Sequence, residues 1–90
     1  MHLENLVVGI TGAASGIGQA CAVAAAAEGA DVALGDIDTN GLHETAAMVT
    51  KAGRRAVTCP VDVTTDNDQA KLVNLAVGEL GGLHGWVGSA

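Results

Sequence analysis

Ninety residues suffice for one small domain and are too few for a catalytic domain joined to a separate substrate domain. Hydrophobic residues make up 49 % of them, yet Trp86 is the only aromatic and there are 13 glycines, so a core here packs backbones closely rather than interlocking rings. Four basic against ten acidic residues leave a net charge of −6, which argues against nucleic acid or an anionic membrane as partner, because counterion release needs clustered Lys and Arg.

The start, Met1-His2-Leu3-Glu4-Asn5, lacks the basic region of a secretion signal. The apolar stretch after it is broken by Gly9 and Gly12, so neither a signal peptide nor a spanning helix is expected. Leu6 to Thr11 reads as a strand buried on both faces. A helix follows from Gly16 to Glu28, rich in alanine and stopped by Gly29. Asp31 to Asp36 reads as a second strand. A second helix from about Asn40 to Lys51 puts Leu42, Thr45, Ala46 and Val49 on one face, with Gly53 beyond its end. Ala56 to Cys59 forms a third strand that leaves at Pro60. Thr65 is a candidate N-cap, with Asp66 in the first turn and Asp68 three residues on. Val73, Val77 and Leu80 supply the expected buried stripe of a third helix, Gly81-Gly82 ends it, and Leu83 to Gly88 makes a fourth strand around Trp86.

Strictly alternating βαβαβαβ implies parallel strands joined by right-handed crossovers, hence an open, doubly wound α/β sheet of Rossmann type. The chain stops at Ala90, directly after the fourth strand, leaving an apolar edge and a partly bare sheet face. The expectation is therefore that residues 1–90 are the N-terminal part of a single dinucleotide-binding domain, or a half-domain that pairs with a partner. Cys21 and Cys59 match no CxxC spacing and are expected as buried, reduced residues of a cytoplasmic protein. With His2, His43 and His84 equally scattered, no metal site is expected.

Chemistry concentrates at Thr11-Gly12-Ala13-Ala14-Ser15-Gly16-Ile17-Gly18, a loop that leaves a strand and opens a helix. Gly12 suits the tight turn, Gly16 lets backbone approach a pyrophosphate, and Gly18 lets the helix lie against the strand. The first helical N–H groups have no partner in the helix and together carry about half a positive charge. An acidic protein must hold an anionic ligand through such local donors. A P-loop is excluded, since Ile17 and Gly18 follow Gly16 where Lys and Ser/Thr are needed. Taken alone, these glycines could equally serve close strand–helix packing.

Asp36 changes that balance. It ends the second strand 18 positions after Gly18, near the roughly 20-residue offset of an acid that accepts hydroxyls of an adenosine ribose. Each charge-assisted bond contributes about 1.5–3 kcal/mol. A 2′-phosphate about 4 Å away would instead be repelled by roughly 4 kcal/mol per unit charge at an effective dielectric near 20. NAD is thus expected over NADP. A methyltransferase using S-adenosylmethionine also needs a glycine loop and an acid after the second strand. Its loop is usually shorter and preceded by an acid, where this chain has Ile10-Thr11.

These residues resemble the short-chain dehydrogenase/reductase family, whose TGxxxGxG loop Thr11 to Gly18 matches. Asp62-Val63 is similar to that family's Asp-Val pair at the adenine, and Leu83 to Ala90 to its fourth strand, which usually runs into Asn-Asn-Ala-Gly. The resemblance covers the family's N-terminal cofactor half. It implies an NAD-dependent oxidoreductase that moves a hydride between nicotinamide and an alcohol or ketone. It implies cofactor contacts at Gly12, Ser15, Gly16, Ile17, Gly18, Asp36, Ile37, Asp62, Val63 and Gly88. Neither Ser15 nor Ile37 is basic, in keeping with NAD. Family sheets place the fourth strand beside the first, with the cofactor at the topological switch point. Two departures follow. Gly88 and Ser89 replace the usual asparagines, so only a backbone contact from Gly88 survives. The family's Tyr-x-x-x-Lys is absent, for the chain has no Tyr, and no catalytic residue is assigned within it. A non-catalytic nucleotide-binding or pairing module is the alternative. A homo-oligomer is compatible with either, and the small-molecule substrate belongs to a longer protein.

Overall fold

The computed structural model describes residues 5–62 and 66–88, and of Asp66 only the backbone. The elements run β1 (Val7–Thr11), α1 (Gly16–Ala27), β2 (Asp31–Asp36), α2 (Thr39–Lys51), β3 (Ala56–Pro60), α3 (Asp66–Leu80) and β4 (Gly85–Gly88). The four strands are parallel and ordered β3-β2-β1-β4, so the chain steps outward twice and then crosses back to the other side of β1. The expected doubly wound sheet is present, and its reversal point lies between β1 and β4.

Two cores follow from strand alternation. Ile10, Val32 and Leu34 join Ala22, Ala25, Ala26, Leu42 and Val49 of α1 and α2 on one face. Val7 and Ala33 meet Leu72, Ala76 and Leu80 of α3 on the other. Alanine and glycine dominate the seams, which brings helix axes close to the sheet and makes each contact sensitive to one added methyl. Gly35 is such a seam: a Cβ there would lie 2.7 Å from Val61 Cγ2 and 2.8 Å from Leu72 Cδ2.

Local chemistry sets the ends. Ser15 caps α1, whose C-cap is Glu28, and the next residue, Gly29, has φ +97°, a left-handed exit that a Cβ would strain. Asp38 caps α2, accepting the Gly41 N–H at 3.1 Å. Pro60 pairs with Asp36 as the last residue of edge strand β3, where its missing N–H is tolerated. The expected cap Thr65 lies outside the described residues.

Three expectations need correcting. The buried stripe of α3 is Leu72, Ala76 and Leu80; Val73 is half-buried and Val77 is exposed. Small Ala76 fits against the close-set sheet, which turns the helix away from its larger valine. β4 begins at Gly85 rather than Leu83. Just before it, His84 donates its N–H to the Val7 carbonyl at 2.8 Å while its Nδ1 accepts the Val7 N–H at 2.9 Å. An imidazole nitrogen thus replaces the carbonyl that would carry the ladder further. Both cysteines are free but only half-buried: Cys21 lies beside the first core and Cys59 beside the second.

At the amino end of β2, Asp31 is nearly buried. Its Oδ2 accepts from Arg55 Nε at 3.1 Å and Nη2 at 2.9 Å, and its Oδ1 lies 3.1 Å from Arg54 Nη2. Burial pushes this carboxyl up, but the Arg55 N–H, the Arg55 guanidinium and the Arg54 charge outweigh it and hold it below its ordinary value. Two of the four basic residues are thereby committed at the end of the sheet opposite the glycine loop.

Candidate functional site

β1 ends at Thr11, and Gly12 turns the chain at φ +69°, a conformation that costs a glycine little. The Ser15 N–H donates to the Gly12 carbonyl at 3.1 Å and closes the turn, while Ser15 Oγ donates to the same carbonyl at 2.7 Å. That hydroxyl also accepts the Gly18 N–H at 3.4 Å, a long bond that only partly satisfies the first turn of α1. Gly18 is buried against the sheet. Gly16 is exposed, and a Cβ built on it meets nothing within 4 Å. Ser15, Gly16 and Ile17 are therefore open to solvent, and no acidic residue stands in the first turn of α1 to neutralise the helix dipole.

Asp36 closes the other side. Its Oδ2 accepts the Ala14 N–H at 3.0 Å and its Oδ1 accepts the Asp38 N–H at 3.1 Å. Each bond uses one lone pair, so each oxygen of a carboxylate whose orientation is fixed keeps further acceptor capacity. Ile17 and Ile37 are 72 % and 73 % exposed, too open to belong to a core, and flank the loop and the strand end. Gly88 pairs with Thr11, so the ends of β4, β1 and β2 bring Gly88, the loop and Asp36 onto one edge of the sheet. Asp62 lies beyond β3, exposed, its N–H donating to Asp68 Oδ2 at 2.6 Å. Its neighbour Val61 donates to the Asp36 carbonyl, which links this corner to the same edge. Val63 lies outside the described residues. Among the described residues no group of His, Cys, Asp or Glu could hold a metal ion.

The motif reading did not single out two residues of α2 that hold this loop. Gly41 abuts Ala14 so closely that a Cβ would come within 2.5 Å of its side chain. Thr45, fully buried, donates its hydroxyl to the Ala13 carbonyl at 2.8 Å. The sequence pattern places Thr45 but not Gly41 on the inward face of α2, and nothing in it names the loop as what that face meets.

Residues 6–90 match the family model for short chain dehydrogenase. The chain belongs to that family. It is 37 % identical over 81 residues to 1-deoxy-11-beta-hydroxypentalenate dehydrogenase of Streptomyces exfoliatus, an alignment covering 90 % of this chain and 30 % of that protein. It is 41 % identical over 89 residues to 2-(S)-hydroxypropyl-CoM dehydrogenase 3 of Xanthobacter autotrophicus, covering 99 % and 35 %. Among solved structures, the short chain dehydrogenase from Mycobacterium paratuberculosis bound to NAD superposes with a TM-score of 0.92 at 39 % identity, covering 98 % of this chain and 37 % of that one. Carveol dehydrogenase from Mycobacterium avium in complex with NAD does so with a TM-score of 0.92 at 35 % identity, covering 98 % and 36 %. This short chain dehydrogenase sequence thus spans roughly a third of the length of these relatives. No described helix is long and apolar enough to cross a membrane.

Proposed function

We propose that residues 1–90 are the N-terminal, NAD-binding part of one dinucleotide-binding domain in a cytoplasmic oxidoreductase acting on a small alcohol or ketone. The observation that carries this reading is the fixed Asp36 carboxylate beside an open helix N-terminus. The residues present fit the cofactor. Gly12, Ser15, Gly16, Ile17 and Gly18 offer backbone to the pyrophosphate, and the exposed turn at Gly16 leaves it room. Asp36 accepts from the adenosine ribose with the acceptor capacity its two oxygens keep. Ile37, Asp62 and Val63 border the adenine, and Gly88 borders the far side by backbone alone. Bound NAD would supply the hydride acceptor or donor at its nicotinamide.

What these residues do is bind and orient. They exclude a 2′-phosphate by placing a like charge where it would sit, and they hold the ligand across the carboxyl ends of the strands. The Tyr and Lys that would handle the alcohol proton find no counterpart here, since the 90 residues contain no Tyr. A non-catalytic nucleotide-binding module is the second reading. Calorimetric titration with NAD and NADP tests the proposal: saturable NAD binding with a clear preference over NADP is expected, and no heat of binding for either would overturn it. A Tyr-x-x-x-Lys stretch in a longer protein carrying this segment would separate enzyme from module.

A further inference from the structure

Thr45 stands on the buried face of α2 between Leu42 and Val49, a place where an apolar side chain would pack at no polar cost. Its hydroxyl proton has two acceptors in reach, the Ala13 carbonyl at 2.8 Å and the Gly41 carbonyl at 3.0 Å. A hydroxyl donates once, and the shorter contact is to the loop. Gln19 Nε2, from α1, donates to the same oxygen at 3.1 Å. Ala13 is thus held at both ends of its peptide units, its N–H by the Gly35 carbonyl at 3.2 Å and its carbonyl by Thr45. Ala14 is held by Asp36 and pressed against Gly41.

We propose that Thr45, with Gln19 behind it, is a positioning residue that presets the glycine loop for its anionic ligand. The inference rests on reading that loop as the pyrophosphate-binding element. A loop of glycine and alanine has wide conformational freedom, and ordering it on binding subtracts from affinity. Donors already aimed at the ligand avoid that loss. Thr45 acts through the Ala13 carbonyl and touches no ligand itself, so its contribution is to loop order and not to contact.

The test uses Thr45→Val, which keeps the branched shape and removes the hydroxyl, and Thr45→Ser, which restores it. In the ligand-free chain, hydrogen exchange of the Ala14 to Gly16 amides is compared with that of Val32 to Leu34 in β2. Thr45→Val should speed the loop amides about tenfold relative to the strand, and raise the NAD dissociation constant about tenfold while leaving adenosine, which lacks the pyrophosphate, unchanged. Thr45→Ser should return both to near the original values. Loop exchange unchanged in a folded Thr45→Val protein, or a Thr45→Ser protein no better than Thr45→Val, overturns the proposal. Should Thr45→Val fail to fold, Gln19→Met, altered on a half-buried side chain, must shift loop exchange in the same direction, and an unchanged loop there overturns it equally. An original chain that binds no NAD sinks the cofactor reading alone, because the exchange measurement needs no ligand and still decides whether Thr45 orders the loop.

Discussion

Ala14 and Asp36 stand 22 positions apart and are joined by one hydrogen bond, the Ala14 N–H donating to Asp36 Oδ2 at 3.0 Å. The acid proposed to read the sugar therefore also braces the loop proposed to meet the phosphates. On that proposal, losing it removes the acceptors for the ribose hydroxyls as well as the Asp36 bond to the Ala14 N–H. We expect Asp36→Ala to weaken NAD by about ten- to a hundredfold, while NADP, relieved of a like charge, weakens less or gains. Calorimetry with both dinucleotides checks this, and an unchanged NAD affinity would remove Asp36 from the site.

Gly16 in the loop borders open space, whereas Gly41 of α2 is packed against that loop. A Cβ at Gly16 finds nothing within 4 Å, so Gly16→Val should leave the unfolding free energy within about 0.5 kcal/mol of the original yet abolish NAD binding by filling the approach to the first turn. A methyl at Gly41 collides with Ala14, so Gly41→Ala should destabilise by about 1–3 kcal/mol and weaken the ligand as well. Thermal melts paired with titrations distinguish the two. Normal NAD binding by Gly16→Val would take the loop out of the proposed site.

Most of the fold was legible because hydrophobic runs, glycines and caps are local signals. The second strand, Asp31 to Asp36, coincides with the one observed, and the end of β1 at Thr11 and the start of α1 at Gly16 agree with the reading. What failed depends on partners distant in sequence. Val73 and Val77 look like a core stripe until the sheet across from them demands Ala76 and Leu72 instead. Leu83 and His84 look extended, but a side-chain nitrogen meeting Val7 ends the ladder. Thr45 was placed on the buried face, yet its partner carbonyl lies 32 positions upstream, beyond any periodicity. The glycine loop and Asp36 stood out as a candidate site because their spacing is itself the signal, whereas the hold of α2 on that loop did not.

Asp31 makes stability depend on pH at the end of the sheet remote from the loop. Its folded-state pKa is lowered, so the ionised group stabilises the fold above its unfolded value and that contribution is lost as pH falls through the lower folded value. Unfolding free energy should therefore drop with acid below about pH 4. Asp31→Asn should cost about 1–3 kcal/mol at neutral pH and make that acid limb shallower, without altering NAD affinity. Denaturant melts from pH 7 to pH 3 on both proteins check this. Parallel acid limbs in the two would show that Asp31 does not set the slope.

Gly9 gives Trp86 its place. A Cβ on Gly9 would lie 2.7 Å from Trp86 Cε3, 2.8 Å from Cζ3 and 3.2 Å from Leu83 Cδ1, so the indole rests directly on bare backbone of β1. The sheet is thin there, because β4 is short and Trp86 is 41 % exposed. Gly9→Ala should push the ring outward, costing about 1–3 kcal/mol. Since Trp86 is the only tryptophan, its emission should shift to longer wavelength as the ring meets water. Gly85→Ala is the control on the neighbouring strand, where the nearest atom to a new Cβ is Val8 Cγ2 at 3.7 Å, an ordinary contact. That variant should keep the original spectrum and lose little stability. If Gly9→Ala melts and emits like the original chain, the indole does not lie on Gly9 and the packing assigned to the β1–β4 seam is wrong.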